Sequence, residues 1–293
     1  MDGEAPGSQA VLDGLVALLD LEQVEEDIFR GVSPSVRVQR VFGGQVAGQA
    51  LVAAGRTVPA DRPVHSLHAY FLRPGDPKVP IVYLVDRIRD GRSFTTRRVV
   101  AIQHGRAIFN LSASFHVAES GVDHGSPMPE VPPPHDLPTM RDLMRGYEGV
   151  LGENALAPRP IDLRYVDDPP WMQQAKGPRP PLARVWMRAD GTLPDQPLLH
   201  VCLLAFASDM TLLDSVLVHH ALSWPAITGA SLDHAMWFHR DFRADEWLLY
   251  ESASPAASGA RGLATGRFWT ADGRHIATVV QEGLLRPPQH TPT

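Results

Sequence analysis

VCLLAFASDMTLLDSVL, residues Val201–Leu217, is an apolar run that carries two carboxylates, and its folding decides how the rest of the chain is arranged. Read as one helix, it turns Leu203, Leu204, Phe206 and Ala207 inward, with Met210, Leu213 and Leu217 continuing the face. Read as two pieces, Ser208-Asp209 caps a second helix over Met210–Leu217. Either way Asp209 sits among Leu, Phe and Met, where a carboxylate is rarely buried without a partner. A helix cap without chemistry is the plain account of Asp209, and a solvated position that of Asp214. Cys202, the only cysteine, reads as a small buried hydrophobe and allows no intrachain disulfide.

Outward from this run, the two halves of the chain follow one pattern. In the first half, residues 1–10 read as a disordered lead and Val11–Leu21 as an amphipathic helix. Glu22–Ile28 leads into a first strand at Phe29-Arg30-Gly31, and Val38–Phe42 is a strand end or a loop. Gly43-Gly44-Gln45 opens a small-residue helix over Val46–Ala54. Strands follow at His65–Phe71, Ile81–Arg87, Ser93–Gln103 and Ala107–His116, the last two joined by a turn at His104-Gly105. In the second half, Leu182–Arg188, the central run, Ser231–His239, Trp247–Ser254, Gly259–Thr270 and His275–Gln281 come in the same order. His104-Gly105-Arg106-Ala107-Ile108 matches Asp272-Gly273-Arg274-His275-Ile276. This is an internal duplication of a helix packed on an antiparallel sheet, an α+β fold. It gives an N-terminal unit over 1–118, a Pro-rich connection over 119–180 with a helix near Met140–Tyr147 and a strand at Ile161–Tyr165, and a C-terminal unit over 181–293.

Composition narrows the function. The formal charge of -6, with no long basic run, argues against a nucleic-acid partner. No apolar stretch reaches the roughly 18 residues of a membrane span, and neither MDGEAPGSQA nor QHTPT reads as a targeting signal, so a cytoplasmic protein is expected. His219, His220 and His239 lack metal-site spacing, and Ser112 and Ser114 lack a GxSxG elbow. No metal and no cofactor is expected. Gly43-Gly44 suits a helix start whose amides stay open to a polarised oxygen, although a tight turn without function accounts for it equally.

The copies differ where the first has Gly43-Gly44-Gln45 and the second Ser208-Asp209, and where the first has Ser112-Ala113-Ser114 and the second Gln281-Glu282. Polar residues therefore gather in the second half at Asp209, Ser231 and Gln281. Such a carboxylate, hydroxyl and amide can hold a water and take its proton, or simply form a satisfied buried cluster. Asp233-His234 is a weaker candidate, because neighbours on a strand point to opposite faces. Arg73, Arg97, Arg98, Arg240 and Arg261 are solvated charges by default.

Long ordered segments carry a resemblance beyond these spacings. They are RVFGGQV at Arg40–Val46, HSLHAYFLRPGD at His65–Asp76, RDGRSF at Arg89–Phe94, FASD at Phe206–Asp209, LDHAMWFHR at Leu232–Arg240 and VQEG at Val280–Gly283. With them, nearly the whole chain resembles the acyl-CoA thioesterase II family of two fused hotdog domains. The resemblance implies hydrolysis of acyl-CoA to fatty acid and coenzyme A by direct attack of a water held by Asp209, Ser231 and Gln281. Relatives often carry Thr where Ser231 stands, so the hydroxyl is kept and the methyl lost. It further implies helix-terminal amides at the oxyanion, a homo-oligomer of tetramer size or larger, and substrate contacts among Gly43, Gly44, Gln45, Arg73, Arg97, His234 and Arg240. A hotdog hydratase or dehydratase using Asp233-His234, and a non-catalytic acyl-CoA binding module, are the alternatives.

Overall fold

Two helices and one sheet position everything that follows. The computed structural model describes residues 7–34, 40–147, 149 and 156–286. The first half comprises α1 (Ser8–Leu19), β1 (Glu22–Glu25), β2 (Ile28–Gly31), α2 (Gly43–Gly55), β3 (Val64–Phe71), β4 (Ile81–Asp90), β5 (Phe94–Gln103) and β6 (Arg106–His116). The connection holds α3 (Met140–Met144), β7 (Ile161–Tyr165) and α4 (Pro170–Lys176). The second half comprises β8 (Leu182–Ala189), α5 (Pro197–Ser208), α6 (Asp214–His219), β9 (Thr228–Ser231), β10 (Asp233–Phe238), β11 (Leu248–Ser258), β12 (Arg261–Thr270) and β13 (His275–Arg286).

The strands join in one 13-stranded sheet, in which β2-β4-β5-β6-β3 is continued by β10-β13-β12-β11-β8. The second order mirrors the first, as duplication requires. The halves meet where β3 and β10 pair antiparallel, with Leu67 opposite Met236 and Ala69 opposite His234. Turns fall where left-handed backbone is supplied: His104 and Gly105 have φ of 49° and 69°, and Gly273 has φ of 90°. Among the described residues no helix is long and apolar enough to cross a membrane.

Each half lays one helix on its face of the sheet. Residues 44–54 of α2 are all buried, so this helix has no solvent face at all. It runs antiparallel to α5 at very short range. A Cβ on Gly44 would stand 2.3 Å from the Phe206 carbonyl oxygen, and one on Gly48 would stand 3.1 Å from that of Cys202. The small residues therefore set the helix separation.

Several expectations change. Residues 8–10 are helical rather than part of a lead, residues 1–6 of which lie outside the described set, as do Val38, Gln39 and the QHTPT end. Glu22–Glu25 forms a strand of its own, because it pairs with β2 across a tight turn in which Asp27 takes φ of 60°. In the central run, α5 ends at Asp209, and α6 restarts only at Asp214. Ser208 does not cap a following helix. Its hydroxyl oxygen lies back over its own turn, 3.0 Å from the Ala205 carbonyl, and the backbone passes into short i→i+3 bonds from Met210 to Ala207 and from Asp214 to Thr211. That break resets the helical phase, so Asp214 is 2% exposed rather than solvated. Cys202 is buried, and burial pushes its thiol up.

The connection lies across the outer face of the second half. Trp186 and Trp269 donate their indole N–H groups to the carbonyls of Pro132 at 2.9 Å and Ser126 at 2.8 Å. Ile161–Tyr165 pairs with β8 and so extends the sheet.

Candidate active site

Asp209 occupies the last turn of α5, facing the first turn of α2 because the two helices are antiparallel. Its neighbours come from three elements. Ser231, the last residue of β9, donates its hydroxyl to Asp209 Oδ1 at 3.1 Å. Gln281, in the middle of β13, donates from Nε2 to the same oxygen at 3.0 Å and to Ser231 Oγ at 2.8 Å. The backbone N–H of Gly44 also donates to the carboxylate. A Cβ on Gly43 would stand 2.7 Å from Asp209 Oδ2, so only glycine leaves that oxygen its place.

The start of α2 has no side-chain cap from its own sequence. Asp209 supplies one from the other half, placing negative charge at the positive end of the helix dipole. Burial pushes the carboxyl above its ordinary value, against the opposing pull of His234 and of hydrogen bonds from Gln281, Ser231 and Gly44. A carboxylate raised in this way is a stronger base, and its Oδ1 is fixed by two side-chain donors. Behind it, His234 is buried and bonded through Nδ1 to Gln281 Oε1 and through Nε2 to Ser208 Oγ at 2.9 Å. Burial pushes its imidazole down, which keeps the ring neutral.

The structure thus brings together Asp209, Ser231, Gln281, Gly43 and Gly44, with His234 in the layer behind. The other residues expected to contact substrate are bonded elsewhere. Gln45 is buried against the Val32 carbonyl at 3.1 Å and Ser33 Oγ at 3.0 Å. Arg73 donates to the Ala107 carbonyl at 2.6 Å. Arg97 is 1% exposed, with its guanidinium held by Asp90 at 2.7 Å and Thr57 at 2.8 Å. Arg240 pins the start of the connection, donating to the carbonyls of His275 at 2.5 Å and His124 at 3.0 Å. Asp233 faces away from His234 and accepts the backbone N–H of Glu282 at 2.7 Å. Among the described residues no group of three or more His, Cys, Asp or Glu gathers to hold a metal.

Two family profiles match the chain: acyl-CoA thioesterase N-terminal domain over residues 32–116, and acyl-CoA thioesterase over residues 158–284. The acyl-coenzyme A thioesterase 8 of Mus musculus is 44% identical over 93% of this chain and 88% of its own. The chain belongs to the acyl-CoA thioesterase family. Its activity is therefore that of a thioester hydrolase. An acyl-CoA thioesterase II, TesB2, from Mycobacterium marinum has a solved structure that is 47% identical. It covers 94% of this chain and 99% of its own, with a TM-score of 0.78. A hotdog-fold protein from Alicyclobacillus acidocaldarius superposes with the same TM-score of 0.78 at 20% identity, over 94% of this chain and 98% of its own, which shows the fold alone. The thioesterase is a double hotdog, as the duplicated strand order indicates.

The thioesterase site also contains groups that sequence reasoning placed differently. Gly43-Gly44 and Ser208-Asp209, both expected at helix starts, differ: the first opens α2 and the second closes α5. His234, expected among the substrate contacts, sits on the core face with Met236. The signal was available in the i, i+2 alternation of the two residues along β10, but the partner, Gln281, depends on strand register that a sequence does not display.

Proposed function

We propose that the thioesterase hydrolyses fatty acyl-CoA through a water held by Asp209, Ser231 and Gln281, with no covalent intermediate. The observation that carries this reading is the carboxylate of Asp209, bonded by Ser231 and Gln281 on one oxygen and set beside the amino end of α2 on the other. A water donating to Asp209 is oriented with a lone pair toward the thioester carbonyl, and Asp209 takes its proton as the carbon–oxygen bond forms. The carbonyl oxygen gains negative charge, which the positive end of α2 stabilises. The tetrahedral intermediate then expels coenzyme A as thiolate, a good leaving group, so no strong acid is needed. Ser231 in place of a threonine keeps the hydrogen bond and loses the methyl that restricts its rotamer. We further infer two working units, 1–118 and 181–293, with the catalytic residues in the second and the 119–180 stretch as their connection.

Thiol release from acyl-CoA esters of C4 to C18 chains tests the reading. The native chain is expected to hydrolyse some of them, and Asp209→Asn to lose at least about 100-fold in kcat. The acid limb of kcat/KM is expected above the ordinary carboxylate range, since activity falls as pH drops through the raised Asp209 value. Equal activity in the two proteins would remove Asp209 from the mechanism. Tight binding of acyl-CoA without turnover would make the site a binding module.

A further inference from the structure

With Asp209 ionised, as a base requires, the hydrogen-bond assignment around Gln281 follows. A carboxylate only accepts, so the atom facing Asp209 Oδ1 at 3.0 Å must be the amide nitrogen. Gln281 Oε1 therefore points at His234, whose Nδ1 must carry the proton it donates. In a neutral ring Nε2 is then bare and accepts the Ser208 hydroxyl at 2.9 Å. Both amide protons of Gln281 and its carbonyl are thus engaged, by Asp209, Ser231 and His234. Turned over, the same amide would press a carbonyl oxygen against the carboxylate and leave Ser231 without its donor.

We propose that His234 is a positioning residue for hydrolysis: held through Nε2 by Ser208, it donates Nδ1–H to Gln281 and locks the amide in the one orientation that serves Asp209 and Ser231. This rests on the Asp209–Ser231–Gln281 reading and deepens it. His234 is 1% exposed and Ser208 0%, so the two act from the core, through Gln281, and not on substrate. No proton leaves the ring during turnover. What His234 contributes is a fixed donor direction, of the kind whose loss costs one to two orders of magnitude when a reacting group drifts.

Two near-isosteric substitutions separate this role from acid–base chemistry. Asparagine places an amide N–H close to where Nδ1–H stands, whereas glutamine places its own farther out, toward Ser208. His234→Asn is expected to keep kcat within about 5-fold of native, while His234→Gln loses about 10- to 100-fold with KM unchanged. In a Gln281→Ala background His234→Gln is expected to cost nothing more, because its only route to the reaction is gone. Ser208→Ala, which removes a single oxygen, supplies a second test: kcat falls several-fold in the native chain and not in Gln281→Ala. Native kcat in His234→Gln or Ser208→Ala overturns the proposal. So does His234→Asn as slow as His234→Gln, or a loss that persists without Gln281. Asp209→Asn measured alongside keeps the two readings apart. Its collapse with His234→Gln at native rate defeats the positioning role alone, and its full activity defeats the water-holding site.

Discussion

Asp209, half-buried, and Asp214, buried, are carboxylates at the two ends of one irregular turn, and their neighbours lead to different outcomes. Asp209 has amide, hydroxyl and backbone donors that hold its anion. Asp214 has the Tyr165 hydroxyl at 2.8 Å and, more distantly, the Trp224 indole at 3.4 Å, and burial pushes it up to about 7. A carboxyl raised by folding contributes stability that is complete below its unfolded value near 3.8 and is lost as pH rises through about 7. The span corresponds to about 4 kcal/mol. Asp214→Asn carries no charge and keeps an acceptor for Tyr165. Its denaturant midpoint should exceed that of the native chain by a margin that grows from pH 5 to pH 8. A variant equally destabilised at both pH values would show that the carboxyl stays ionised in the fold. The sequence does not reveal this residue, because an unbroken helical period puts Asp214 on the wet side. Only the five-residue turn from Asp209 to Leu213 swings it inward.

At the scale of elements, the site exists because α2 and α5 touch backbone to backbone. Gly44→Ala puts a methyl 2.3 Å from the Phe206 carbonyl, a backbone atom that cannot step aside without moving the helix. Overpacking of this kind costs about 1–3 kcal/mol, more than alanine returns in helix propensity. It also moves the Gly44 N–H off Asp209, so both the melting midpoint and kcat should fall. Gly14, inside α1, meets nothing within 4 Å, and Gly14→Ala should raise the midpoint by the propensity gain alone, up to about 1 kcal/mol. Identical substitutions should thus have opposite signs in thermal melts, and a neutral Gly44→Ala would mean that the helices are not so closely packed. Sheet and repeats were legible in the chain because the hairpins β4–β5, β5–β6, β11–β12 and β12–β13 each turn at a glycine, at Gly91, Gly105, Gly259 and Gly273. Which helix ends meet was not, since antiparallel packing across a duplication is a tertiary fact with no local signature. The short β1 and α4 escaped for a related reason: few residues give too little periodicity to read.

The whole molecule makes the two halves interdependent. One buried core runs from Leu12 to Leu285, the sheet crosses from half to half at β3 and β10, and Gln9 of α1 accepts the Thr192 backbone N–H at 2.8 Å in the opposite half. The site repeats this pattern, for Asp209 and its side-chain donors come from the second half while Gly43 and Gly44 come from the first. Family profiles cover the halves as two stretches, yet neither stretch contains the complete site. Unfolding should therefore be a single transition in which far-ultraviolet dichroism, tryptophan fluorescence and thiol release vanish together. The six tryptophans make the comparison discriminating: among them Trp186, Trp247 and Trp269 lie in the second half, within or against the small cluster that clasps the connection. If the first half melted separately, dichroism would fall before fluorescence. Activity would then follow the earlier event, because losing α2 removes the helix end that Asp209 caps. Two resolved transitions would show that the β3–β10 pairing and the antiparallel helices do not couple the halves, and that each hotdog unit folds by itself.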